Sequence, residues 1–230
     1  MNEIKHISAE VKQLDINLNY GELYFENGDE FTIQIESKYE NDFCIAEKGD
    51  CLKILDERKN KRIPFVNRNN ERSTVKLTIP TDFLFERIRI TTGAGELYAD
   101  TIQTAQLITK MGAGEFHIKQ LSVFDYATLD GGAGEIEVEN GNLHNLSMSF
   151  GAGEVNMHAV ITGNSQINAG VGELNLALLG NPSDYSATIS KGIGHCSVRG
   201  FNTCHGNTYG DGPNKLKISG GVGEINISFA

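Results

Sequence analysis

Residues 88–99 read Ile88-Arg-Ile-Thr-Thr-Gly-Ala-Gly-Glu-Leu-Tyr-Ala99, and the four at the centre, Gly93-Ala94-Gly95-Glu96, decide the fold. Gly-Ala-Gly-Glu returns at Gly112 to Glu115, Gly132 to Glu135 and Gly151 to Glu154. Gly-Val-Gly-Glu stands at Gly170 to Glu173 and Gly221 to Glu224, and Gly-Ile-Gly-His at Gly192 to His195. From Glu96 the steps to the next glutamates are 19, 20, 19 and 19 residues, then 22 to His195 and 29 to Glu224. A period near 20 is the mark of a solenoid, in which each unit buries its face only against its neighbours.

Side-chain parity sharpens this. Before each corner, apolar residues fall at every second place, as at Ile88 and Ile90 or Leu146, Met148 and Phe150. The same parity runs through the middle residue of the motif (Ala94, Ala113, Ala133, Ala152, Val171, Ile193 and Val222), which predicts that this residue also faces the core. After the motif, the apolar pairs Leu97 and Ala99, Phe116 and Ile118, and Val155 and Met157 begin three places on, not two. A strand of period two cannot keep one face buried across an odd step, so every copy requires a bend at Gly-Glu. Polar returns are expected at Asp100-Thr101, Lys119-Gln120, Asn140-Gly141-Asn142 and Thr162-Gly163-Asn164. Successive coils should stack in parallel, ~4.8 Å apart.

Upstream, Leu14, Ile16, Leu18 and Tyr20 alternate with polar residues and lead into Asn19-Tyr20-Gly21-Glu22, a degenerate copy with Asn for the first Gly. Strands follow at Phe31 to Ile35, Phe43 to Ala46, Leu52 to Leu55 and Val75 to Ile79. Residues 56–74 are polar and basic, with Lys59, Lys61, Arg62, Arg68 and Arg72. They read as a solvated loop, or as a docking loop for an acidic partner. No stretch has helical periodicity. The expectation is one all-β domain over residues 1–230, with N-terminal strands and the degenerate coil in 1–87 and a β-solenoid in 88–230.

Net charge is −10, which argues against a nucleic-acid partner and against simple adsorption to anionic lipid. No apolar run reaches the ~18 residues of a membrane span. The N-terminus, MNEIKHISAEV, has no apolar signal core, so a cytoplasmic protein is expected, or a surface protein if a leader has been removed. Four cysteines are too few for a disulfide scaffold. The last strand, Ile225 to Phe229, carries no evident cap. An open solenoid edge invites pairing, so this coil should be covered by a partner chain, giving a homo-oligomer, or by the N-terminal segment.

Stacked coils would set Glu22, Glu96, Glu115, Glu135, Glu154, Glu173 and Glu224 in one ladder. Two like charges ~5 Å apart repel by about 0.8 kcal/mol in water and about 3 kcal/mol at an effective dielectric of 20. The ladder therefore needs compensation. Backbone N–H groups at the glycine corner would supply it, making these residues structural; a bound Ca²⁺ would also do so. A second cluster, His195-Cys196 and Cys204-His205 with Asp211 nearby, has a zinc inventory in a non-finger order. Cys196 falls on an apolar position of the repeat, so metal candidacy rests on His195, Cys204 and His205, and no cofactor is expected. There is no Gly-x-Ser-x-Gly elbow, and the Gly-x-Gly copies lack the third glycine and helix of a dinucleotide site.

Leu77-Thr-Ile-Pro80, then Phe83 to Ile90, then the repeated Gly-small-Gly-acid copies resemble DUF4097, a "putative adhesin" family of bacteria and archaea near the DUF2807-like adhesins. The resemblance covers roughly residues 75–230. The family commonly has Gly-Ser-Gly-Asp where this chain has Gly-Ala-Gly-Glu. It implies a β-solenoid-like domain linked to envelope stress or surface attachment, with no catalytic residues. The expected function is thus a non-catalytic binding or scaffold protein that contacts another protein or a cell-envelope component. The alternative is a carbohydrate-active β-helix enzyme, which would need a cleft holding two or three acids of shifted pKa.

Overall fold

Each Gly-x-Gly-Glu copy sits at a bend inside unbroken extended backbone. The computed structural model describes residues 4–38, 42–58, 72–201 and 203–230. The strands are β1 (Ile4–His6), β2 (Gln13–Gly28), β3 (Thr32–Glu36), β4 (Phe43–Lys48), β5 (Cys51–Asp56), β6 (Thr74–Pro80) and β7 (Phe85–His144). They continue with β8 (Leu146–Thr162), β9 (Asn164–Leu178), β10 (Tyr185–Ser190), β11 (Ile193–Val198), β12 (Cys204–His205), β13 (Thr208–Tyr209) and β14 (Asn214–Phe229). Strand β7 is 60 residues long because it winds through successive rows without leaving extended geometry. Rows pair in parallel, glutamate on glutamate: Glu22 with Glu96, Glu135 with Glu154, Glu154 with Glu173, and Glu173 with Glu224. The fold is all-β and solenoid-like, as the period requires.

The core is the column inside the coils. Leu107, Thr109 and Met111 bury one arm of a coil, Phe116 and Ile118 the second, and Leu121 and Val123 a third. Lys119-Gln120, expected as a polar return, is a corner, and a further half-buried strand follows it. The same three-residue step separates buried Ala99 from Ile102 and Val138 from Gly141. Each coil thus has three sides, with each fully buried aliphatic side chain contributing ~1.5–3 kcal/mol.

The middle residue of the motif faces outward, against the parity expectation. Ala113, Ala133 and Ala152 are exposed, and Val171, Val222 and Ile193 are 54%, 48% and 76% exposed. Steric closure on the inside explains this. A Cβ on Gly112 would lie 2.2 Å from the carbonyl oxygen of Gly93, and one on Gly114, whose φ is +138°, would lie 1.8 Å from that of Gly95. A side chain at either glycine would run into the backbone of the adjacent row, and the residue between them, which projects outward, is the one with room for a side chain.

The C-terminal strand is not at the end of the stack, and the rows on its two sides, not the N-terminal segment, cover it. β14 lies between β9 and the β10–β11 row, so the last two rows are exchanged relative to chain order. Corner geometry does not choose between the orders, because Gly223 stacks as well on Gly172 as Gly194 does on Gly223. Aliphatic content does. β14 buries Leu216, Ile218, Ile225 and Ile227, whereas the other row offers Tyr185, whose hydroxyl needs partners, Ala187, Ile189 and the half-buried Cys196 and Val198. The more apolar row takes the two-sided slot. Tyr185 pins the terminal row: it is buried, its Oη donates to Leu179 O at 2.8 Å and accepts from Ile161 N at 3.3 Å.

At the other end, two wings cover the first row instead of a simple meander. β5 pairs in parallel with Gln13–Asn17 and β6 with Glu22–Gly28, while β4 is antiparallel on β5, β3 on β6, and β1 on β3. Between the wings the outer side of the degenerate corner meets Asp56, Arg58 and Ser73, not another corner. Asn19 N donates to Asp56 Oδ2 at 2.9 Å and Asn19 Nδ2 to Asp56 O at 3.0 Å. Buried Arg58 pairs with Asp56, donates to Tyr20 O, and sits 5.5 Å over the Phe43 ring. Asn is tolerated at position 19 because its outer side meets Asp56 instead of a glycine row, while Gly93 of the next row packs on its carbonyl oxygen. Lys59, Lys61, Arg62 and Arg68 of the basic loop lie outside the described residues; Arg72 lies within them.

Candidate functional site

The arm after each corner buries the first and third residues beyond the glutamate. It turns the glutamate itself, and the residues two and four places on, to the outside. Stacking therefore writes columns on the surface. The corner column is Glu22, Glu96, Glu115, Glu135, Glu154, Glu173 and Glu224. Beside it runs Tyr24, Tyr98, His117, Glu137, Asn156, Asn175 and Asn226. The next begins Glu26, Asp100, Lys119 and Glu139.

The second column carries the hydrogen bonds that the first one needs. Tyr24 Oη donates to Glu22 Oε2 at 3.2 Å and Tyr98 Oη to Glu96 Oε2 at 3.0 Å. His117 sets Nε2 3.2 Å from Glu115 Oε2 and Nδ1 2.9 Å from Glu137 Oε2. Asn156 Nδ2 donates to Glu154 Oε1 at 2.8 Å and Asn226 Nδ2 to Glu173 Oε1 at 3.3 Å. The asparagines also bond along the stack: Asn175 Nδ2 to Asn156 Oδ1, and Asn226 Nδ2 to Asn175 Oδ1, both at 2.9 Å. At the first rows Arg72 bridges Glu22 and Glu96 at 3.1 and 3.3 Å. Backbone N–H partners were expected; at Glu22, Glu96, Glu115, Glu154 and Glu173 the bonds come from side chains two residues along, in another row or from Arg72.

The rings stack on one another. Tyr24 and Tyr98 are 5.3 Å apart at 17°, and Tyr98 and His117 are 5.2 Å apart at 8°. Their faces are spent within the column, so edges and polar atoms meet solvent. A shallow groove of about 380 Å³ runs along this ladder, lined among others by Tyr24, Tyr98, His117, Asp100 and Lys119. Another, of about 240 Å³, lies over the corners beside Tyr20, Arg72 and Glu115.

Electrostatics follow from these contacts. Burial, then the Glu96 hydrogen bond and the nearby carboxylate charges, push the Tyr98 hydroxyl up to about 12. Burial works against the His117 imidazolium, but the bonds and charges of Glu137 and Glu115 outweigh it and raise its pKa. The Lys119 ammonium, 2.8 Å away, lowers that of Asp100. Burial opposes ionisation of Asp56, but its bonds to Arg58 and Asn19 prevail and hold its pKa below the ordinary value. Asp56 and Asp100 are thus kept ionised at neutral pH, the opposite of what a general acid requires.

The residues singled out for metal fall on two strands that do not pair with each other. His195 lies exposed on β11, in register with Glu224, and Cys196 is half-buried with its thiol pKa raised by burial. Cys204 and His205 form β12, which reaches β10 only through β13. Among the described residues no three His, Cys, Asp or Glu converge to hold an ion. Sequence reasoning missed the second column. Its signal was present as a fixed offset: the residue two places after each corner glutamate is Tyr, Tyr, His, Glu, Asn, Asn and Asn. It also missed Arg58, which reads as one more loop cation.

Among the described residues no helix is long and apolar enough to cross a membrane. No curated protein matches the chain. Among solved structures it is similar to a "putative cell adhesion protein" of Clostridium sporogenes, at 18% identity, covering 100% of this chain and 99% of that one with a TM-score of 0.47. It is also similar to a "putative adhesin" of Bacteroides fragilis, at 17% identity, covering 99% and 96% with a TM-score of 0.47. The Toastrack DUF4097 family model matches residues 4–193, a span that holds both wings, the degenerate corner and the repeats through Gly170 to Glu173, and the chain belongs to that family.

Proposed function

We propose that residues 1–230 act as one all-β, non-catalytic binding module of adhesin type. Its ladder face contacts a basic region of another protein or of a cell-envelope component. The observation that carries this reading is the columnar surface itself. Acids and hydrogen-bonding side chains repeat at row spacing, and the carboxylates with shifted pKa are locked to cations. Such a surface matches an extended partner at many equal points, each weak alone and additive in sum. The corner glutamates serve the fold and the face together. They steady the corner through their side-chain bonds and present charge outward.

A carbohydrate-active enzyme would draw on different features: an acid held protonated, and aromatic faces open for sugar stacking. Here the three stacked rings use their faces on each other. The test is cosedimentation of the purified chain with isolated bacterial envelopes. We expect saturable, salt-sensitive binding that falls about tenfold in a Glu115→Lys/Glu137→Lys variant, assayed at a temperature where circular dichroism shows that variant folded. Equal binding by that variant, or release of reducing ends from an envelope polysaccharide by the wild type, would overturn the reading.

A further inference from the structure

The two ends of the solenoid are finished differently. The wings close the first end. At the last row, β13 covers β10 through Ala187–Tyr209 and Thr188–Thr208. β11 pairs with β14 on one side, and among the described residues no strand pairs with its other side. The floor beneath that edge is incomplete: Cys196 and Val198 are half-buried, while Ile225 and Ile227 in the next row are buried. Beside it runs an apolar ridge of Val171, Val222 and Ile193, neighbours by register and each about half exposed or more.

We propose that this edge docks one more row: an extended strand of a separate protein that carries a Gly-x-Gly-acid corner. Two observations define that strand. The first is steric. In every stacked pair of corners the upper glycine rests on backbone, and a Cβ on Gly194 would lie 1.8 Å from Gly223 O. A strand that follows the bend over Gly194 meets the same constraint and needs glycine there. The second is charge. The corner position holds glutamate in the seven other rows and His195 here, with exposed Lys191 and Arg199 at the two ends of the edge. In a chain of net charge −10 this local cationic border fits a strand with carboxylates at alternate positions. The same cations discourage indiscriminate edge pairing.

A second copy does not supply the strand. Each Gly-x-Gly-Glu row of the folded chain already lies between two neighbours, and β11 against β11 would bring Lys191 and Arg199 against their own copies. Main-chain bonds would give the affinity, and the glycine bend and acids the selectivity. This surface is distinct from the ladder face, and the proposal stands without the reading given above.

The probe is a synthetic peptide of residues 127–139, whose Glu135 and Glu139 fall beside His195 and Arg199 in the register common to the rows. Fluorescence anisotropy with the full chain should show saturable one-to-one binding. Affinity should fall about tenfold or more for the Gly134→Ala peptide, and likewise for a Lys191→Glu/Arg199→Glu chain. A Tyr98→Ala chain, altered on the ladder face, should bind the peptide unchanged, so the two proposals fail separately. Equal binding by a scrambled peptide, absence of saturation up to about 1 mM, or a dimer of the wild type that the Lys191→Glu/Arg199→Glu chain loses would each overturn the proposal.

Discussion

Replacing Gly114 with alanine tests the corner most directly. Its φ of +138° lies where a side chain strains the backbone, at a cost of ~1–3 kcal/mol. The new Cβ would start 1.8 Å from Gly95 O, and real Cβ contacts stay beyond 3.0 Å, so the rows must part by more than an ångström there. Stretching about two interrow bonds at ~1 kcal/mol each adds ~2 kcal/mol. The total is about 3–5 kcal/mol. Gly49, at the β4–β5 turn, provides the control. Its φ is +60°, with nothing within 4 Å of an added Cβ, so alanine there should cost only ~1–2 kcal/mol. Urea unfolding followed by circular dichroism reads the difference. With m of ~2–3 kcal/mol/M, Gly114→Ala should unfold about 1 M earlier than Gly49→Ala. If the two midpoints agree within about 0.2 M, adjacent corners do not close on each other as described, and the account of the glycine column fails.

Other perturbations separate the remaining contributions. Arg58→Ala leaves Asp56 buried without its cation and should cost about 3–5 kcal/mol in the same assay. Ala133→Lys, at a position that sequence parity assigns to the core, should change stability by less than about 0.5 kcal/mol, because the side chain projects outward. His117 has a folded pKa above its unfolded value of about 6.5. Its stabilisation is therefore complete below that value and lost as pH rises through the folded pKa. The melting temperature of wild type minus that of His117→Gln should be largest near pH 5–6 and shrink toward pH 9; a difference that grows with pH would refute the bridge to Glu115 and Glu137.

What the sequence made legible is what one row dictates about itself. The odd step between Ala94 and Leu97 announces a bend, and the 19- and 20-residue spacings announce stacking. What it concealed depends on contact between rows. The outward turn of Ala113 and Val171 follows from glycine backbone pressing on the row beneath, which parity along one strand does not register. The exchange of the last two rows is hidden because all corners are interchangeable in register, and only the apolar content of Ile225 and Ile227 against Cys196 and Val198 discriminates. On the ladder face, His117 and the asparagines become partners of the glutamates through stacking, in part across residues 19 to 53 apart in the chain. The split cover over Asn19 was legible only as tolerance for Asn at one corner.

The exchanged rows also govern the order of assembly. A solenoid whose rows follow the chain can fold like a closing zipper, each coil templating the next. Here the template for β10–β11 is β14, which comes later in the chain. The edge of β9 must wait for residues 214–229 while residues 185–198, with a matching corner, already lie within reach. Direct docking of that earlier segment on β9 is a near-cognate competitor, less apolar than the correct occupant. Wherever the earlier segment docks first, completing the stack requires a replacement rather than an addition, and the rate of that step is set by how quickly the wrong tenant leaves.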